Sequence, residues 1–289
     1  VVVTGHTGFK GTWLTRWLMM LGAEVMGISD GIPTTPSMFE ILDMEKNIQH
    51  KVVDVRDVGA LAQAIQGFEP DFVFHLAAQA IVSTSYLDPL GTISTNVMGT
   101  ANVLDVIRRL SKPCVAVIIT SDKCYENVEW EWGYRETDHL GGKDIYSASK
   151  GAAEVVFHAY FQSFLKNQPH IRIASARAGN VIGGGDWAKD RIIVDSVLSW
   201  NDHKPVQIRS PEATRPWQHV LEPLSGYLWL GANLATNDKL NGESFNFGPR
   251  AEQNRRVIEL IADVFEYWNK DFDCYQITGN IPFHEAGLL

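Results

Sequence analysis

The amino-acid sequence predicts an α/β fold: a doubly wound parallel sheet followed by a smaller C-terminal lobe. Three observations carry this. Short apolar runs alternate with helical segments through the first 177 residues. Those runs are apolar at successive positions, as strands covered on both faces must be. A glycine-rich turn joins the first run to the first helix, the entry to a nucleotide-binding βαβ unit.

Val1–Thr4 reads as the first strand, and Phe9–Leu21 as the first helix, with Trp13, Leu14, Trp17, Leu18 and Leu21 at i, i+3 and i+4 spacings. Gly22 is its C-terminal stop, and Glu24–Ser29 the second strand. Ile32–Ser37, rich in Pro and Thr, is loop. Val52–Val53 leads into Asp54 as a third strand, and Val58–Ile65 is a helix ending near Gly67. Phe72–Leu76 is a fourth strand, Asn96–Leu110 a helix and Val115–Thr120 a fifth strand. Tyr146–Leu165 is a long helix, and Ile171–Ala176 a sixth strand. Beyond residue 177 the alternation gives way to turn-rich stretches at Gly183–Asp186, Asp202–Pro205 and Ser210–Pro216. The expected division is residues 1–177 for a cofactor domain and 178–289 mainly for a substrate lobe over the carboxyl ends of the strands, where open α/β sheets bind ligands.

A length of 289 residues, 45% of them hydrophobic, supports a sizeable core. With 34 acidic against 25 basic residues and a net charge of −9, no basic face for nucleic acid or an anionic membrane is expected. Apolar runs such as Val115–Ile119 are too short to span a bilayer. The opening residues lack the charged and apolar regions of a secretory signal. Cys114, Cys124 and Cys274 are widely spaced with no CxxC pair, so neither a disulfide framework nor a metal site is expected, and a cytoplasmic setting is.

Gly5-His6-Thr7-Gly8-Phe9-Lys10-Gly11 has the spacing G-x-x-G-x-x-G between a strand and a helix. Glycines there allow a tight turn and let a pyrophosphate approach the helix N-terminus, whose free N–H groups attract anions. His6 reads as structural. Asp30, 25 positions after Gly5, is placed to accept a bond from a ribose 2′-hydroxyl and to repel a 2′-phosphate, which favours NAD over NADP. Asp54 ends the third strand. Leu76, Ala77 and Ala78 end the fourth, where small residues let a flat ligand lie against the backbone. This is the Rossmann pattern.

Tyr146 and Lys150, four apart, share one helix face. A neighbouring ammonium favours phenolate and makes the tyrosine a usable base. Ser121, Asp122 and Lys123 follow the fifth strand, at the sheet edge where chemistry is expected. Ser121 suits a hydrogen bond to the reacting oxygen and Asp122, if protonated, suits an acid. Lys123 suits a base only if it is neutral.

At these residues the chain resembles the extended short-chain dehydrogenase/reductase family, and within it the nucleotide-sugar 4,6-dehydratases, close to the branch acting on CDP-glucose. The resemblance rests on Gly5–Gly11 with Trp13, on residues 121–126, on Tyr146-Ser147-x-Ser149-Lys150, on Arg177–Trp187 and on Arg215–Val220, and it covers essentially the whole chain. It implies a redox cycle on one tightly held NAD. Tyr146 removes the C4 hydroxyl proton as C4 is oxidised, Asp122 helps water leave from C6, and the hydride returns to C6. The product is a 4-keto-6-deoxy sugar, of the kind used in bacterial surface polysaccharide. Lys123 stands where other branches carry a glutamate, so the C5 base is open: Lys123 itself if neutral, or another group or water with Lys123 steadying the enolate. The implied cofactor set is Gly5, Thr7, Gly8, Phe9, Lys10, Gly11, Asp30, Asp54, Val55, Leu76, Ala77, Ala78, Asn96, Tyr146 and Lys150. Asn180, Trp187, Arg191, Arg215 and His219 are the implied contacts to the nucleotide sugar, the two arginines on its diphosphate. The Trp-rich stretch 129–133 is either a cover over the site or a packed turn. The resemblance also implies a homodimer or homotetramer paired through the helices around residues 96–110 and 146–165. Two other readings stay open: a nucleotide-sugar 4-epimerase, which shares Tyr146 and Lys150 but has no use for Asp122, and a non-catalytic dinucleotide-binding sensor.

Overall fold

The computed structural model describes residues 1–268, 271–278 and 287. Seven parallel strands form one sheet: β1 (Val2–Thr4), β2 (Met26–Ser29), β3 (Gln49–Val52), β4 (Phe72–His75), β5 (Cys114–Ile119), β6 (Ile171–Ala178) and, much later in the chain, Ser244–Phe247. Between the first six run α1 (Phe9–Met20), α2 (Met38–Ile41), α3 (Val58–Phe68), α4 (Val82–Leu87), α5 (Pro89–Ile93), α6 (Gly99–Ile107) and α7 (Ile145–Tyr160). They are followed by β7 (Val181–Ile182), α8 (Ile192–Asn201), β8 (Val206–Ile208), β9 (Thr214–Arg215), β10 (Gln218–His219), α9 (Leu221–Leu234), β11 (Ser244–Phe247), β12 (Arg255–Arg256), α10 (Val257–Phe265) and β13 (Tyr275–Ile277).

The strand order is β11-β6-β5-β4-β1-β2-β3. The chain winds outward from β1 to β3, then returns to lay β4 on the other side of β1. The order therefore reverses between β1 and β4, and their carboxyl ends open the crevice where doubly wound sheets bind ligands. The apolar strands explain the two covered faces. α3, α6 and α7 bury Leu61, Ile65, Leu104, Ile107 and Phe157 on one side. α1 and α9 bury Leu14, Leu18, Leu224, Tyr227 and Leu230 on the other. Only the edge strand β3 is largely exposed.

Several details differ from the sequence reading. The third strand, expected at Val52–Val53, runs over Gln49–Val52, where polar residues are tolerated because it is the sheet edge. The helix expected over Asn96–Leu110 starts earlier, at Pro89, capped by the Asp88 carboxylate on the Gly91 N–H (2.9 Å), and passes through a wider π turn at Ser94–Met98 before α6. The helix expected to reach Leu165 keeps α geometry only to Tyr160 and closes with a second π turn. After residue 178 the chain does not stay in one lobe, because α9 packs on the sheet and β11 extends it beyond β6. The smaller lobe is built of short pairs, β7 with β10, β9 with β12 and β8 with β13, around a separate core of Trp200, Val206, Ile208 and Ile261. Among the described residues, no helix is long and apolar enough to cross a membrane.

Candidate active site

The Gly-rich turn is held by backbone contacts that leave no room for side chains. Gly5 has φ +72° and donates its N–H to the Ile28 carbonyl (2.7 Å). A Cβ on Gly5 would sit 2.7 Å from the Ala77 nitrogen, and one on Gly11 only 2.0 Å from the Gly5 carbonyl oxygen. The turn is thus wedged between α1 and the end of β4. No side chain caps the N-terminus of α1, and its first turn carries no acidic residue, so its N–H groups and positive dipole end remain for an anion. His6 points away from the cleft. Fully buried, it bonds His50 (2.7 Å) and Ser29 (3.1 Å), and burial pushes its imidazole down to about 4.

The turn opens onto a cleft of about 1100 Å³. Thr7, Gly8, Phe9, Lys10, Asp30, Asp54, Val55 and residues 76–78 line its cofactor end. Asp30 is exposed there. Asp54 holds the Arg56 guanidinium (Nε to Oδ2, 2.9 Å), which keeps its carboxyl below the usual range. Lys10 reaches toward the reactive groups, and burial and the neighbouring Arg191 push its ammonium down to about 8.

At the carboxyl edge of β5, the Ser121 hydroxyl donates to Asp122 Oδ1 (2.8 Å), and it lies within hydrogen-bond reach of the Tyr146 phenol. Asp122 Oδ2 is buried with no hydrogen-bond partner. Asp144 caps α7 through the Ser147 N–H (2.9 Å), which sets Tyr146 in the first turn and Lys150 in the next. Gly142 and Gly151 allow this helix its close approach, since a Cβ on Gly151 would meet the Gly141 carbonyl at 2.9 Å. Burial pushes the Tyr146 phenol up to about 12, with Arg191 opposing. Burial and Lys10 push Lys150 down to about 8.

A second cavity of about 610 Å³ shares Asn180, Trp187, Arg191 and Arg215 with the cleft and adds Trp217 and His219. Trp13 on α1 donates its indole N–H to the Gly184 carbonyl (2.9 Å), joining the cofactor helix to the substrate loop. Arg191 Nε is buried without a hydrogen-bond partner.

Of the residues expected from sequence, all those named for the cofactor, the chemistry and the substrate line the cleft except two. His219 lies only in the second cavity. Asn96, expected to touch the cofactor, is 1% exposed and lies behind the wall, where its amide accepts from the Gln79 N–H (2.8 Å) and donates to Ser149 Oγ (2.8 Å). The π turn rotates it inward onto the backbone that forms the wall, so it acts as a support. The Trp-rich stretch borders the cleft. Glu129 and Tyr134 line it, Trp130 packs on Tyr134 and Tyr134 stacks on Tyr125, while Trp132 is exposed. Glu154 and Arg177 form a buried ion pair beneath the reactive residues (2.7 Å); the sequence reading does not single out Glu154 and names Arg177 only as the start of the stretch Arg177–Trp187, without a role. The signal for Glu154 was present: it continues the i, i+4 series of Tyr146 and Lys150.

A family model described as GDP-mannose 4,6 dehydratase matches residues 2–256. The CDP-glucose 4,6-dehydratase of Salmonella typhimurium is 47% identical over the whole of this chain and 81% of its own length. Among solved structures, the dTDP-glucose 4,6-dehydratase of Streptomyces venezuelae with NAD bound superposes with a TM-score of 0.79 at 21% identity, covering 96% of this chain and 83% of that one. A UDP-glucuronic acid 4-epimerase of Bacillus cereus, also with NAD, gives 0.77 at 23% identity over 92% and 82%. These two show a shared fold. With the family model matched over most of its length and a relative at 47% identity, the chain belongs to the nucleotide-sugar dehydratase family that the GDP-mannose 4,6 dehydratase model describes.

Proposed function

We propose that this protein converts CDP-glucose to CDP-4-keto-6-deoxyglucose and water, holding NAD throughout the cycle. The cleft fits such a cofactor: the uncapped α1 terminus suits a pyrophosphate, Asp30 suits the ribose hydroxyls, and the small Ala77 and Ala78 leave a flat wall. When bound, NAD accepts a hydride from the sugar and later returns it, so none is consumed.

The chain's own residues move the protons. Tyr146 takes the proton of the C4 hydroxyl, with Ser121 holding the oxygen. Burial holds the phenol up at about 12 despite the opposing Arg191, and an ammonium at Lys150, whose Nζ lies 5.9 Å from the centre of the Tyr146 ring, favours its anion. Oxidation at C4 acidifies the C5 hydrogen. Loss of that proton, to a neutral Lys123 or to another group or water beside it, and departure of the C6 hydroxyl as water with the proton of Asp122 form the enone, which is then reduced at C6 and reprotonated at C5. Lys123 lines the cleft next to Asp122, where an ammonium opposes the charge of the enolate. Arg191 and Arg215 hold the diphosphate and the second cavity takes the nucleoside.

The observation that carries the reading is Asp122. Ser121 donates to its Oδ1, while Oδ2 is left without a hydrogen-bond partner, and Asp122 lines the same cleft as Tyr146. A 4-epimerase has no step for such an acid. Exposed Met98, Val155 and Phe164, on the helices around residues 96–110 and 146–165, support pairing of two copies through them.

The test is incubation with CDP-glucose in deuterated water and mass analysis of the product. Loss of one water with one deuterium gained at C5 is expected. An unchanged mass would remove CDP-glucose as substrate, and dTDP-, UDP- and GDP-glucose would be tried in turn.

A further inference from the structure

Ser121, Asp122 and Lys123 lie on a short segment, Thr120–Tyr125, that leaves β5 and makes a single 3₁₀ turn at Asp122–Cys124, with backbone bonds from the Thr120 N–H to the Ala176 carbonyl (2.9 Å) and from the Gly141 N–H to the Cys124 carbonyl (2.9 Å). Chemistry on the sugar requires this segment to stand in register with Tyr146 and Lys150 on α7, since the acid acts at C6 and the base at C4. One buried ion pair touches the segment at both ends. At its start, the Thr120 hydroxyl donates to Glu154 Oε1. At its end, Arg177 Nη1 donates to the Tyr125 hydroxyl (2.8 Å), and the guanidinium lies over the Tyr125 ring, 5.0 Å from its centroid. The two anchors are joined by Arg177 Nη2 donating to Glu154 Oε2 (2.7 Å).

Glu154 stands one turn beyond Lys150, so the carboxylate that grips the acid segment is carried by the helix that carries the base. It is fully buried and accepts further bonds from Ser175 (3.0 Å) and Ser244 (3.1 Å). Arg177 and these hydroxyls hold its carboxyl below the usual range despite burial. The Tyr125 hydroxyl donates onward to Asn246 Oδ1 (2.7 Å), whose amide binds the Tyr134 carbonyl (2.9 Å) at the rim of the cleft. A buried pair of this kind is weak evidence for stability, because an apolar pair of similar volume often serves the fold as well. What an ion pair adds is direction: its donors and acceptors fix where their partners lie.

We infer that Glu154 and Arg177 are positioning residues for the elimination step: they clamp both ends of Thr120–Tyr125 and so hold Asp122 at a set distance from Tyr146. This rests on the dehydratase reading above. Loosening the clamp displaces Asp122 more than Tyr146, which α7 holds independently, and so slows water loss more than the preceding oxidation.

The test uses full-length Thr120→Val and Tyr125→Phe, near-isosteric changes that each open one arm, with Thr120→Ser as the rescue and Glu154→Gln as the deeper lesion. Enzyme loaded with NAD is mixed rapidly with CDP-glucose while absorbance at 340 nm reports the reduced cofactor, and quenched samples report sugar products. In the opened variants elimination is expected to slow at least tenfold more than oxidation, so reduced cofactor and 4-ketoglucose accumulate, and Thr120→Ser restores the parent's behaviour. If oxidation and elimination slow in the same proportion, or if Thr120→Val matches the parent, the clamp is overturned while the dehydratase reading stands. If the parent turns over none of the four nucleotide glucoses, that reading falls and the clamp with it.

Discussion

At the cofactor end of the cleft, seven consecutive residues, Gly5–Gly11, make the anion site out of backbone, and two of the glycines pack so tightly that a methyl group would meet main-chain atoms. At the substrate end, Asn180, Arg191, Arg215 and His219 come from separate loops, strands two residues long and the foot of α8. One end is a local motif whose shape follows from its own sequence. The other is an assembly of side chains whose meeting depends on how the smaller lobe sits on the sheet. Binding at the first end is therefore sensitive to single atoms of backbone space, and binding at the second to single charges.

The largest effect is expected where the two ends meet. Tyr146→Phe removes the base while leaving both binding ends intact, so kcat should fall about 10³-fold with little change in the affinity for either NAD or CDP-glucose. Equilibrium binding beside steady-state rates checks this, and a parallel loss of affinity at either end would break the separation. Gly11→Ala comes next. Its Cβ would lie 2.0 Å from the Gly5 carbonyl, so the turn must open, and NAD should bind about 100-fold more weakly, measured by fluorescence titration. CDP binding, read by calorimetry, should change little. Arg191→Met tests the other end. Losing charge-assisted bonds worth about 2 kcal/mol should weaken CDP-glucose about 30-fold, and NAD retention should be nearly unaffected.

The smallest effect comes from histidines beneath the cofactor end. Burial holds His6 down to about 4 and His75 to about 3, so both stay neutral in the folded protein, whereas in the unfolded chain they gain protons near 6.5. Stability is then full above pH 6.5 and is lost as pH falls toward 4. Each histidine should remove about 1 kcal/mol between pH 6.5 and 5.5. Denaturant unfolding at the two values reads this slope, and His6→Asn should flatten it. An unchanged slope would mean that His6 protonates without cost beneath the Gly-rich turn.

The same contrast explains what was legible before the structure. Gly5–Gly11 and the Tyr146/Lys150 pair are recognisable because their partners lie within a few residues or one helical turn, and Asp30 because it stands at the end of the next strand after that Gly-rich turn. Asn96, expected at the cofactor, lies on a π turn that the residue pattern does not show and bonds Gln79 and Ser149. The roles of Glu154 and Arg177 are not legible in the sequence because each is an ordinary charged residue until β5, β6, β11 and α7 bring Thr120, Ser175, Ser244 and Tyr125 around them.

By itself, the sequence determined the parallel sheet, through largely apolar central strands and helices of matching period, and the anion-binding turn, through its spaced glycines. Tertiary structure decided that β11 returns from the far end of the chain to close the sheet edge, that Asp122 keeps one oxygen unpaired, and that a buried carboxylate ties the acid segment to the helix of the base. The physical reason is range. Backbone conformation and hydrophobic period are settled among neighbours in sequence, whereas burial and the pairing of charge are settled by whichever distant residues the fold brings within hydrogen-bond distance.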